Sequence, residues 1–368
     1  MSENKRILLA VATSKMVLSF RRDMIKKFQS EGYTVAVAAL DGAYGEVIEK
    51  ELGVKFYCME DNNRSLSPLK ILSLKNKYVK VIKDFNPNVV FTFMLKPNIF
   101  ATLAAKKAGV KRVFSMVEGA GDVFVNNGLK WRIIRSVVCA MYKRSFKIPQ
   151  KIFFLNDDDR EEFIRRKLVK REKSLVVHGI GVNVEHFAYK PIKNYNVFLM
   201  VARMTTTKGV FEYCECARQV KKIYPNAVFN YVGEEGTVKV SDIQEYIDDG
   251  SVNYLGETND VRPYYEDASV CILPSYREGF GLVNIECGAV GRAVITCNTN
   301  GTRDTVLDGR TGFLISVKDV ATMVEKVCYF IENKQAIITM GQNAKEFVES
   351  NFNQKRTNQK IFDIVEKD

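Results

Sequence analysis

The stretch Pro274-Ser-Tyr-Arg-Glu278-Gly279-Phe280-Gly281-Leu282-Val283-Asn-Ile-Glu286 follows an apolar run, Ser269–Leu273, that reads as a buried strand. The spacing predicts a helix opening near Gly281. Glycines let the backbone approach a ligand closely, and free amides at a helix N-terminus attract phosphate. Glu278 falls before the helix and Glu286 inside it, eight positions apart. One carboxylate can then face the mouth of a site while the other lines its wall. Carboxylates placed in this way accept the protons of polyol hydroxyls. The same text, read locally, also suits a glycine-rich turn bearing surface acids.

A second element precedes it. The strand-like run Asn196–Ala202 is followed by Arg203-Met-Thr-Thr-Thr-Lys208-Gly209. An Arg and a Lys at a strand's carboxyl end, ahead of a helix, can clamp a diphosphate; solvated cations at a helix start are the alternative. Further runs, Ala227–Val232, Val252–Leu255, Ala293–Cys297 and Gly312–Ile315, extend this series, and three helical segments close the chain. An earlier series has the same character, with strand candidates Arg6–Ala12, Tyr33–Leu40, Lys55–Cys58, Asn88–Phe93, Arg112–Val117, Lys151–Leu155 and Ser174–His178. Helical patterns lie between them at Ser19–Ser30, Ser67–Asp84, Asn98–Ala108 and Asp157–Val169. Strands alternating with helices imply a parallel sheet covered on both faces. Two successive α/β units therefore join near residue 190, where Lys190-Pro191 reads as a linker. Ligands of such sheets bind outside the carboxyl ends of the strands, so two facing units would make a cleft for two substrates.

The 368 residues suit two domains, and 46% hydrophobic with 27% charged residues exclude disorder as the main state. No stretch free of charged side chains exceeds 11 residues, as in Phe85–Leu95, too short for a bilayer span. Eight scattered cysteines, no CxxC pair and two histidines, His178 and His186, disfavour a zinc site or disulfide framework and fit a reducing cytoplasm. The net charge of +12 is uneven: residues 1–190 carry +16 and the rest −4. A polyanionic partner for the first half is expected. Asn62–Lys83 holds six basic and no acidic residues, and Val123–Asn156 seven and none. In the latter, Leu129, Ile133, Ile134, Val137, Val138, Met141 and Tyr142 recur at helical spacing among Lys130, Arg132, Arg135, Lys143, Arg144 and Lys147, beside Trp131. A basic amphipathic helix with an aromatic anchor can bind an anionic membrane surface. No nucleic-acid-binding signature accompanies the charge, so no nucleic acid is expected.

The pair of elements Arg203…Lys208-Gly209 and Glu278-Gly-Phe-Gly…Glu286 resembles the retaining glycosyltransferases of family 4, whose signature is E-x7-E. Gly179-Ile-Gly-Val-Asn183…Phe187 resembles that family's interdomain segment, and Asn300-Gly301-Thr302-Arg303-Asp304…Gly309…Gly312-Phe313 a further motif. Asn63-Arg64-Ser65-Leu66-Ser67-Pro68 and Val117-Glu118-Gly119-Ala120-Gly121 look like the branch acting on undecaprenyl-diphosphate-linked sugars. That branch includes capsule transferases and the N-acetylgalactosaminyltransferase of bacterial N-glycosylation.

The resemblance implies the α/β GT-B fold: two Rossmann-like doubly wound domains facing across a cleft. They would be an acceptor-binding, membrane-facing domain (1–190) and a nucleotide-sugar domain (191–350), with a C-terminal helix (351–368) returning to the first. It implies transfer of a sugar, an N-acetylhexosamine or a relative, from a UDP-sugar to a polyprenyl-diphosphate-linked saccharide at the inner face of the plasma membrane. Neither cofactor nor metal is implied. Arg203 and Lys208 would hold the donor diphosphate, Glu278 the sugar hydroxyls and Glu286 the ribose, with the amides of Gly279, Phe280, Gly281, Leu282 and Val283 toward the β-phosphate. Glu118 stands where many relatives carry a His near the reacting sugar, and so is a catalytic candidate. On the acceptor side, Lys96 and Ser14 are candidates, although Ala12-Thr13-Ser14-Lys15 replaces a Gly-Gly pair common in the family. The alternatives are a soluble-acceptor transferase of the same fold, of the glucan or sucrose-phosphate synthase type, and a non-catalytic nucleotide-sugar-binding module. A Rossmann dehydrogenase is excluded because no GxGxxG follows the first strand.

Overall fold

A computed structural model describes residues 5–61, 68–119, 121–125 and 128–368. Residues 62–67, with most of the Asn63–Pro68 motif, and Ala120 lie outside the described residues. The contacts divide the chain into two compact units, one running to Ile180 and including Lys355–Asp368, the other Gly181–Gln354.

In the first unit, the buried runs become β1 (Arg6–Val11), β2 (Thr34–Ala39), β3 (Lys55–Cys58), β4 (Val89–Phe93), β5 (Arg112–Val117), β6 (Lys151–Phe154) and β7 (Ser174–Val176). They form one sheet in the order β3-β2-β1-β4-β5-β6-β7, every pair parallel. The strands are apolar on both faces because helices cover both, as β4 shows with all five residues buried. The order reverses between β1 and β4. At that point, strand ends part and leave a crevice. The helix Leu95–Ala108 starts ahead of the expected Asn98 because Pro97 occupies its first turn, where no N–H is needed. Helix Asp157–Arg165 is capped by the Asn156 side chain, which accepts from the Asp159 amide. It stops short of Val169 because Lys167 turns left-handed at φ 57°.

The last helix, Gln354–Lys367, adds to this unit. Its Ile361, Phe362 and Val365 are buried, with Phe362 edge-on to Phe28 at 5.4 Å. The Lys5 ammonium meets Glu366 at 2.9 Å.

The second unit repeats the plan with β8 (Val197–Val201), β9 (Val228–Val232), β10 (Asn253–Tyr254), β11 (Val270–Leu273), β12 (Ala293–Cys297) and β13 (Gly312–Ile315). Its order is β10-β9-β8-β11-β12-β13, again all parallel. The switch point falls between β8 and β11, the two strands whose following loops hold Arg203…Lys208 and Glu278…Glu286. Five of the eight cysteines, among them Cys271, Cys287 and Cys297, are buried thiols that pack as small hydrophobes.

Candidate active site

At the carboxyl end of β8, the chain passes through exposed Arg203 and a short turn, Thr206–Lys208, before the helix Val210–Ile223. Gly209 joins them at φ 76°, and a Cβ there would lie 2.3 Å from the Pro274 carbonyl oxygen. Only glycine permits both the left-handed turn and that approach. The closeness brings the two loops into register: the Tyr276 amide donates to the Thr207 carbonyl at 2.8 Å. The Lys208 ammonium then donates to Glu278 Oε1 in an ion pair that is largely buried. Residues seventy positions apart in the chain thus meet at the switch point.

A third loop fixes Glu278 from behind. The Glu278 amide donates to the Asn300 carbonyl at 3.1 Å and the Gly281 amide to the Gly301 carbonyl at 2.6 Å. The Thr299 hydroxyl donates to the Tyr276 carbonyl at 2.9 Å. Gly301, at φ 78°, lets these backbones touch, since a Cβ would fall 2.3 Å from the Glu278 carbonyl oxygen. Phe280 turns inward, its ring 5.4 Å from Phe352, and anchors the loop in the core. The Leu282 amide closes a tight turn onto the Phe280 carbonyl at 2.8 Å. Gly281 and Leu282 therefore spend their amides inside the protein. The Phe280 and Val283 amides have no acceptor among the described residues.

Glu286 sits on the helix Leu282–Val290 and accepts from the Tyr265 hydroxyl at 2.9 Å. Burial pushes its carboxyl up to about 7, against the opposing pull of that hydrogen bond. Tyr265 was not legible as a partner, because it lies on another helix, Arg262–Asp267, and is itself fully buried.

The first unit treats its candidates differently. Ser14 is fully buried; its hydroxyl donates to Asp41 and accepts from the Tyr44 amide at 3.1 Å, tying the end of β1 to the end of β2. Lys96 pairs with Asp61 at 3.0 Å, largely buried beyond β4. Glu118 leaves β5 and pairs with the guanidinium of Arg21, a residue the sequence reading did not single out.

A separate cavity of about 390 Å³ in the second unit is lined by His186, Lys190, Asp260, Arg262 and Glu266, among others. Its charges pair internally, Arg262 with Asp260 at 2.7 Å and Lys190 with Glu266 at 3.7 Å. It contains none of the predicted site residues.

The chain matches known families over most of its length: residues 6–155 as "Glycosyl transferase 4-like" and residues 182–347 as "Glycosyl transferases group 1". It is 28% identical over 346 residues to the N,N'-diacetylbacillosaminyl-diphospho-undecaprenol alpha-1,3-N-acetylgalactosaminyltransferase of Campylobacter jejuni, covering 90% of each chain. It is 26% identical to the UDP-Gal:alpha-D-GlcNAc-diphosphoundecaprenol alpha-1,3-galactosyltransferase of Escherichia coli, covering 82% of this chain and 81% of that one. Among solved structures, Anabaena Alr3699/HepE in complex with UDP and glucose superposes with a TM-score of 0.82 at 18% identity, over 99% of this chain and 100% of that one. That likeness shows the GT-B fold. With both halves matched and the fold in agreement, the chain belongs to the GT-B glycosyltransferases of the group 1 and family 4-like type.

Proposed function

We propose that this enzyme moves a sugar, with retention, from a UDP-sugar to a polyprenyl-diphosphate-linked saccharide in surface-glycan assembly. The observation that carries the donor half is the meeting of Lys208 and Glu278 at the switch point, with Arg203 on the same loop and Glu286 on the following helix. The donor diphosphate replaces the Glu278 carboxylate at Lys208 and takes Arg203 as a second cation. Glu278, released, accepts hydroxyl protons of the sugar, and Glu286 those of the ribose. As the bond from the anomeric carbon to the phosphate oxygen breaks, negative charge grows on the diphosphate, and the two cations stabilise it most in the transition state. The acceptor oxygen bonds to the same face of the carbon, and its proton passes to the departing phosphate oxygen. These cations supply the charge that a metal would otherwise bring, so the reaction proceeds without one. The acceptor class rests on the curated relatives, both of which act on undecaprenol-linked sugars by name.

The elevated Glu286 carboxyl gives this reading a pH signature. A ribose diol donates to the ionised form, so UDP affinity falls as pH drops through about 7, where the carboxyl takes up its proton. Glu286→Gln is expected to bind UDP-glucose, whose diphosphate does not titrate in this range, more weakly but with a flat profile between about pH 6 and pH 8, measured by calorimetry.

The helix Leu129–Ser145 supports the lipid half. Val138 and Tyr142 are buried in the core of the first unit, whereas Leu129, Ile133 and Val137 are 73%, 59% and 45% exposed. These three lie one turn apart on a single stripe, flanked by exposed Lys130, Arg132, Lys143 and Arg144. No described helix is long and apolar enough to cross a membrane. An anionic bilayer surface accepts this stripe, at about 1.5–3 kcal/mol for each apolar side chain fully buried and about 1 kcal/mol for each nearby cation. The protein is expected to co-sediment with phosphatidylglycerol vesicles at low salt and not with phosphatidylcholine vesicles. Ile133→Glu should leave most of it in the supernatant with an unchanged melting temperature. Equal sedimentation of both proteins would refute this docking face.

A further inference from the structure

Three departures from regular structure converge at the carboxyl edge of β1, β4 and β5, around the switch point of the first sheet. After β1, the helix containing Arg22–Ser30 begins with a π-turn at Val17–Arg21. Such single widened turns recur at functional sites because they re-aim a side chain at some cost in hydrogen bonding. Here the re-aimed side chain is Arg21, only 1% exposed. After β4, Met94 holds φ 66° and ψ 175°, a region that non-glycine residues enter only under strain. After β5, Glu118, with a side chain 9% exposed, gives Oε1 to Arg21, while its Oε2 is buried with no hydrogen-bond donor among the described residues.

Arg21 is held from several sides. Its guanidinium lies 4.4 Å from the centre of the Phe93 ring, and Nη1 donates to the Phe20 carbonyl at 3.0 Å. Burial lowers its pKa to about 9, so it remains a cation at neutral pH. A buried carboxylate oxygen without a donor costs free energy on the order of 1–3 kcal/mol or more. A stability role does not account for this, because an apolar pair would fill the space without the orphaned oxygen.

We propose that Glu118 Oε2 is an acceptor-selecting group: it receives a hydrogen bond from a hydroxyl of the acceptor saccharide, with Arg21 as its positioning residue. This rests on the transferase reading above and adds to it the side chain that reads the acceptor sugar. The ligand completes the missing hydrogen bond, and the ion pair sets the direction from which the hydroxyl must approach. A sugar unable to place a hydroxyl there leaves the oxygen unpaired, and sites built on buried polar groups reject such analogues strongly.

The test measures steady-state transfer from a panel of UDP-sugars to undecaprenyl-diphosphate-linked N-acetylglucosamine, for the wild type and Glu118→Gln. The variant is expected to raise the acceptor KM by about tenfold or more, the size of a lost hydrogen bond to a charged group, and to change the donor KM less than about twofold. The stabilisation of its fold by UDP should be retained. An acceptor KM within about twofold of wild type, with transfer otherwise normal, would overturn the inference while leaving the transferase reading intact. A wild type unable to transfer any sugar to this acceptor would overturn both. Should Glu118→Gln fail to fold, the joint replacement Arg21→Met/Glu118→Leu removes both charges together. It is expected to fold and to show the same acceptor-only defect; a normal acceptor KM in it would equally overturn the inference.

Discussion

Glu278→Gln is expected to lower transfer by about 10²- to 10⁴-fold while binding UDP at least as tightly as the wild type. The first part follows from two carboxylate–hydroxyl bonds to the sugar, each on the order of 1.5–3 kcal/mol, realised fully only as the anomeric carbon reacts. The second part follows from the ligand-free ion pair. Lys208 is already occupied by Glu278, so the diphosphate must displace a carboxylate before it binds. Neutralising that competitor removes an electrostatic cost of about 1 kcal/mol for a pair still partly in contact with water, worth up to about fivefold in UDP affinity. Calorimetry with UDP beside a transfer assay separates the two effects. A parallel loss of both would mean that Glu278 holds the nucleotide or the loop rather than the sugar.

Lys208→Met is expected to lose nucleotide binding and turnover together. It removes a cation from the leaving group, so UDP affinity should drop by about 10- to 100-fold and kcat by about 10³-fold. It also strands Glu278 without its partner, although that carboxylate can still reach water. Lys208→Arg keeps the charge but replaces a compact ammonium by a longer planar fork, and should recover only part of the binding. A Lys208→Met protein that kept normal kcat and UDP affinity would remove the diphosphate from this loop.

The parallel strands were legible because their residues are buried on both faces and read as continuous apolar runs, β4 and β12 above all. The two loops of the donor site were legible because glycines and charged residues interrupt those runs at strand ends. The third loop was visible only as a motif; that Gly301 seats the Glu278 backbone depends on a left-handed φ and a close approach, which spacing does not encode. Side-chain partners were the least accessible. Arg21 is one of two adjacent arginines in a basic, helix-like segment, and only the π-turn turns it inward to Glu118. Ser14, an acceptor-side candidate, has its hydroxyl held between Asp41 and the Tyr44 amide, because the loop after β1 folds onto the end of β2. The helix Leu129–Ser145 reads in sequence as a single apolar face. It packs against the helix Leu95–Ala108, which covers only part of it, and Leu129, Ile133 and Val137 are left outside.

Mass analysis of the lipid product, combined with digestion by a glycosidase of known anomeric specificity, gives the most direct test of donor and acceptor together. Wild-type protein would be incubated with undecaprenyl-diphosphate-linked N-acetylglucosamine and each of several UDP-sugars. The expected result is a lipid heavier by one hexose or one N-acetylhexosamine, in the anomeric configuration of the donor, with one UDP released per lipid converted and about 10²- to 10⁴-fold slower conversion by Glu278→Gln. An unchanged lipid with every donor, or a product of inverted configuration, would contradict it.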